Sequence, residues 1–218
     1  MDERAILLRN VLNEPSCDTA RLVYADWLEE HDESERAEFI RVQIELARLF
    51  PTEQPRLLRE RETELWPAAV FSIYDEVRPA KVIPDNMTVY KIDEKRETAK
   101  RPEAYVSRGF IGEISLPCAA FMQHAKAIFA AHPVTSIAFT NVRPSATDRE
   151  PGFKDYFCWP RTQRHPLAFL MDAGFLKAGI DSWRDTEQEC MNDASRAAVA
   201  YGRTLANIPI LPLAAVGG

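Results

Sequence analysis

The sequence predicts an α+β fold, predominantly α-helical: an N-terminal three- or four-helix module, then a small β-α-β core and C-terminal helices. Three observations predict it. Apolar residues recur at spacings of three and four through residues 2–66. Residues 109–140 switch from period two to the helical period and back. The 218 residues are 46% hydrophobic, with 11 Phe and 4 Trp, enough for a packed core without disulfide or metal staples.

The first helix is expected over 2–13, with Asp2 as cap, Ala5, Leu8 and Leu12 on one face, and Pro15 ending it. The second spans 18–31, with Asp18 as cap. Leu22, Ala25 and Leu28 share its face, widened by Val23 and Trp27. The third spans 34–50, with Ser34 as cap and a stripe of Phe39, Val42, Leu46 and Leu49 flanked by Ile40, Ile44 and Ala47. Such short amphipathic helices cannot bury their faces alone and should pack on each other. A fourth helix is expected over 55–66, with Pro67 breaking its pattern. The run AAVFSIYDEV reads equally as helix or strand, and 91–104 reads as an exposed connection.

The clearest strand is 109–116, with Phe110, Ile114 and Leu116 on one face and Glu113 and Ser115 on the other. Pro117 opens a helix over 118–131 that buries Phe121, Ala125, Ile128 and Phe129, and His132-Pro133 closes it. VTSIAFT at 134–140 completes a β-α-β unit whose strands, if adjacent, should be parallel. Four prolines make 141–166 a long loop, which is either functional or contains further structure. A short helix at 167–173 ends at Gly174, and a longer one at about 186–206 carries Ala197, Ala198, Tyr201 and Leu205. The organisation expected is a helical module over 1–66, a connection over 67–104 and an α/β segment over 105–218.

Charge is unevenly placed. Residues 1–50 hold 12 Asp/Glu and 6 Arg, whereas the rest of the chain is neutral. An acidic segment disfavours nucleic acid as a partner. The four cysteines, Cys17, Cys118, Cys158 and Cys190, have neither zinc-site nor disulfide spacing. With no basic signal-like start and no run near 18 apolar residues, the expectation is a cytoplasmic chain that meets no membrane.

The stretch TARLVYADWLEEHDESERAEFIRVQIELARL, at 19–49, is distinctive. Its Leu22–Glu30 and Arg36–Arg41 portions resemble the repeat-companion domain that occurs N-terminally in many planctomycete proteins. The resemblance covers roughly residues 3–50. RGFIGEISL and AFMQHAKAIFAAHPVTSIAF are similar to the strand-helix-strand opening, leucine-rich-repeat-like, that follows this domain in such proteins. No 20–29-residue period with regular Leu and Asn positions continues it, so at most one or two degenerate units are expected. The resemblance implies a helical, bacterial interaction module and no particular reaction.

Three constellations remain. Tyr24, Asp26 and Trp27 read as a fold determinant, with Trp27 filling the three-helix core and Asp26 bridging to a base such as Arg41. Asp26, Glu29, Glu30 and Glu33 form an acidic face, with Asp32, Glu35 and Glu38 extending it; it lacks the ligand pattern of a calcium loop. Phe153, Tyr156, Trp159, Arg161 and Arg164 interleave aromatics and cations in the long loop, suited to anchoring an interface or pinning the loop. No catalytic constellation, metal-ligand spacing or cofactor motif is present, so neither metal nor cofactor is expected. The expectation is a non-enzymatic interaction or scaffold protein whose partner is another protein, with oligomeric state open. The alternatives are a small enzyme with a pocket under 153–165, using Cys158, His165 or nearby carboxylates, and a defence or toxin-neutralising binder whose acidic face covers a basic effector.

Overall fold

A computed structural model describes residues 2–50, 52–77, 88–91, 102–140, 166–176 and 187–210. It is predominantly helical α+β: seven helices and one four-stranded mixed sheet among the described residues. The helices are α1 (Glu3–Asn13), α2 (Asp18–Glu30), α3 (Ser34–Arg48), α4 (Arg56–Val77), α5 (Cys118–Ala131), α6 (Ala168–Asp172) and α7 (Glu187–Leu205). The strands are β1 (Thr88–Lys91), β2 (Glu103–Ser107), β3 (Phe110–Leu116) and β4 (Ser136–Phe139), ordered β1-β2-β3-β4.

Asp2 caps α1 as expected, its carboxylate accepting the Arg4 N–H. The buried side of α1 is Val11 and Leu12, while Ala5 faces solvent. The caps of α2 and α3 differ from expectation. Cys17 and Glu33 occupy the cap positions, and Asp18 and Ser34 are already the first helical residues. The inward face of α2 is Arg21, Tyr24, Ala25 and Leu28, which turns Val23 outward.

α3 is the hub. Its Phe39, Val42 and Leu46 enter the main core. Ala37, Ile40 and Ile44 enter a second core with Val11, Tyr24, Ala25, Leu28 and Phe110. A helix buried on two sides links the bundle to the sheet through its own width.

α4 corrects the break expected at Pro67. The helix runs through the proline for 22 residues. Pro67 removes one backbone donor at a cost of up to about 3 kcal/mol. Leu65, Ala69 and Ile73, one turn apart on either side of it, are all buried in the main core, and that continuous burial offsets the lost bond. The ambiguous run after Pro67 is therefore helical, and the boundary expected at 66 falls inside α4.

The segment expected as a connection contributes strand at both ends, since Lys91 closes β1 and Glu103 opens β2. β1 and β2 pair in parallel, β2 and β3 antiparallel, and β3 and β4 in parallel and adjacent, as the β-α-β reading requires. The β2–β3 register slips after Tyr105↔Glu113 to Val106↔Ile111, which leaves Gly112 as an extra residue. Such a bulge inverts the alternation beyond it. Ile111 thus joins Ile114 and Leu116 in the main core, while Phe110, expected on their face, points into the second core.

Buried polar contacts fasten these parts together. Gln43 of α3 donates to Glu62 of α4 at 2.9 Å and accepts the Gly109 N–H at 2.7 Å; Lys91 of β1 lies 3.5 Å from Glu62. Arg203 of α7 is fully buried and donates to the carbonyls of Leu12 (3.0 Å), Asn13 (3.2 Å) and Pro209 (2.6 Å). In return Arg9 of α1 donates to the carbonyls of Ala206 and Asn207. Each helix thereby supplies a guanidinium to the orphan carbonyls at the other's C-terminus. α7 also covers the edge of β4, Ser195 Oγ accepting the Ile137 N–H at 2.9 Å.

Candidate interaction surface

Two surfaces meet on the bundle. The first is the expected acidic face. Arg41 Nη2 lies 2.7 Å from both Asp26 and Glu29, and Arg61 pairs with Glu38 at 2.6 Å and Glu64 at 2.9 Å. Arg4 pairs with Glu33 at 2.7 Å. The hydrogen bond donated by Arg61 lowers the Glu38 pKa, and those that Arg41 donates to Asp26 and Glu29 raise its own. Of the four carboxylates expected to form the face, Asp26, Glu29 and Glu33 are thus occupied internally. Glu30 is exposed and makes no ion pair among the described residues. The Asp26–Arg41 bridge is the one the sequence suggested. Exposed ion pairs contribute little to stability; here they neutralise a face whose composition alone reads as strongly acidic.

Trp27 is only half-buried. Its ring stacks on His31 at 3.9 Å and on Tyr24 at 6.3 Å, with the Arg4 guanidinium 5.6 Å from its centroid. It covers the second core more than it fills it.

The second surface lies along α4. Leu57 is 79% exposed, Phe71 is 66% exposed, and Phe50, just before the helix, is 73% exposed. At about 100° per residue, Leu57, Glu64 and Phe71 recur on one stripe. An open depression of about 620 Å³ runs beside it, lined by Gln54, Arg56, Arg59, Glu60, Thr63 and Glu64. Large exposed apolar groups rimmed by charges of both signs suit a protein contact. The exposure of Leu57 follows from α4 burying the face of Leu65, Ala69 and Ile73. The aromatic loop residues Phe153, Tyr156, Trp159, Arg161 and Arg164, with Cys158 and His165, lie outside the described residues.

No family model, curated protein or solved structure matches the chain.

Two buried groups have strongly shifted pKa values. Burial pushes the Cys118 thiol up to about 12, keeping it protonated. Burial, with Arg36 nearby, pushes His132 down to about 3. His132 is fully buried and neither ring nitrogen has a hydrogen-bond partner. Among the described residues no three His, Cys, Asp or Glu side chains gather to hold a metal ion, and no helix is long and apolar enough to cross a membrane.

His132 has a consequence for acid stability. Its folded pKa lies below the ordinary 6.5, so the unfolded chain takes up a proton that the fold excludes. Stability from this group is flat above pH 6.5 and falls as pH drops towards 3. The expected loss is about 2 kcal/mol between pH 7 and 5. Urea titrations across that range should show this slope in the wild type and lose it in His132→Leu; equal slopes would refute it.

Proposed function

We propose that the chain is a non-enzymatic interaction or scaffold module. Its partner is another protein, which lays an apolar helical stripe along the outer face of α4. The observation that carries this reading is the placement of Leu57 and Phe71, both largely exposed, on one stripe of a 22-residue helix beside a mixed-charge depression. Residues 14 apart, two heptads, stay close to one helix face, so both can meet a single partner element. The likeness of residues 3–50 to the repeat-companion domain supports the same reading, because that module accompanies varied partner segments. Free thiols at Cys17 and Cys118 suit a reducing compartment such as the cytoplasm.

The test is photo-crosslinking from position 71, with position 123 on α5 as the control face. The protein captured is then purified and titrated against wild-type chain and the Leu57→Ser/Phe71→Ser variant. Capture from position 71 alone, and at least tenfold weaker binding by the variant, is expected. Equal capture from both positions, or equal binding by the two chains, sinks the proposal.

A further inference from the structure

At the N-terminus of α2 two guanidiniums bracket one carboxylate, and a third lies one turn into the helix. Arg48 Nε lies 3.1 Å from Asp18 Oδ2, and Arg108 Nη1 lies 3.6 Å from Asp18 Oδ1. Arg21, one turn into the helix, is near enough to feel both Arg108 and Asp18. These four groups leave a local excess of two positive charges in a segment whose overall balance is acidic.

Arg21 is the unusual member. It is 4% exposed, its guanidinium sits 5.5 Å from the centroid of Phe110, and its Nε and Nη1 are buried without a hydrogen-bond partner. A ring face compensates a buried cation only in part. Burial, then Arg108, lowers its pKa to about 10, the direction expected of a cation short of negative charge. The cap position of α2 is Cys17, whose side chain makes no capping bond. The first-turn N–H groups, which no intrahelical carbonyl can accept, therefore keep the partial positive charge of the helix end. Arg108 itself has φ +50, a left-handed conformation that is costly outside glycine, and this turn carries its side chain to Asp18.

The geometry points to a binding site for a tetrahedral oxyanion of the phosphate type at the N-terminus of α2. Arg21 and Arg108 are its principal donors, Arg48 stands at the rim, and Asp18 holds the arginines in place until the anion competes for them. Guanidinium forks and a helix N-terminus are the two protein groups best suited to phosphate oxygens. The acidic residues Glu29 and Glu30 lie at the far end of α2, about 18 Å away along a 13-residue helix. They do not cancel the local field.

Thermal unfolding tests this, with inorganic phosphate and glycerol 3-phosphate titrated at fixed ionic strength against chloride. The wild-type midpoint should rise with either phosphate and not with chloride, following ligand linkage. The stronger of the two phosphate arms then separates a free ion from a monoester as ligand. Arg108→Gln should weaken the apparent affinity about tenfold, and Asp18→Asn should strengthen it several-fold by removing the competing carboxylate. Arg48→Gln, at a more exposed position, should weaken it two- to threefold and serves if Arg108→Gln fails to fold. No rise in the wild type, an equal rise with chloride, or unchanged affinity in every folded arginine variant overturns the assignment.

Discussion

Replacing Gly109 with alanine is expected to destabilise the fold by about 3 kcal/mol or more. Two costs combine. Gly109 has φ +82, where an L side chain loses about 1–2 kcal/mol. A Cβ there would also stand 2.3 Å from Ile40 Cγ1 and 3.1 Å from Ile40 Cα, so rotating the Ile40 side chain relieves only part of the overlap. Ile40 is fully buried in the second core, and the Gly109 N–H is held by Gln43. Displacing the turn would therefore pull on the Gln43–Glu62 bond that ties α3 to α4. Gly174 supplies the control, since it has φ +77 but nothing within 4 Å of an added Cβ. Gly174→Ala should cost only the conformational part. Denaturant midpoints of the two variants that differ by less than about 1 kcal/mol would show that the Ile40 contact yields easily.

Arg203→Met is expected to cost about 3–4 kcal/mol. The methionine fills much of the same volume but leaves the carbonyls of Leu12, Asn13 and Pro209 without their charged donor. Arg203→Lys should recover only a minor part, because one ammonium cannot span three carbonyls as a planar fork does. Arg9→Met should cost less, its contacts to the residues just past α7 being partly exposed. Equilibrium unfolding of the three variants checks the order. A loss below 1 kcal/mol for Arg203→Met would mean that water takes over the carbonyls.

The helices and the β-α-β unit were legible because their apolar residues carry strong periods. β2 was not, for a physical reason. Its first four residues are buried, including Glu103, which accepts a hydrogen bond from Tyr105, so no polar–apolar alternation marks the strand. β3 was legible as a strand but not in its facing, because Gly112 reads locally as a weak strand residue and only the partner strand reveals that it is extra. Pro67 misled because a local breaker is outweighed by burial that comes from elsewhere in the chain. Among candidate site residues, Asp26, Glu29 and Glu30 lie on α2 and Glu33 stands at the cap of α3. The Asp26–Arg41 bridge was legible, but the pairing of Glu29 and Glu33 was hidden, since Arg41 and Arg4 reach them from 12 and 29 residues away. Arg21 was missed because a lone arginine on an amphipathic helix reads as a solvated side chain, and only the position of Phe110 shows it buried.

The exchange of guanidiniums between α1 and α7 also sets a clock. The carbonyls of Leu12 and Asn13 leave the ribosome about 190 residues before Arg203, which serves them. At ordinary elongation speeds of 5–20 residues per second, that is a wait of roughly 10–40 seconds. Throughout it the first helix can rest on α2 and α3 but cannot lock. The nascent bundle therefore stays open on that side, and its closure waits for a segment made about 190 residues later.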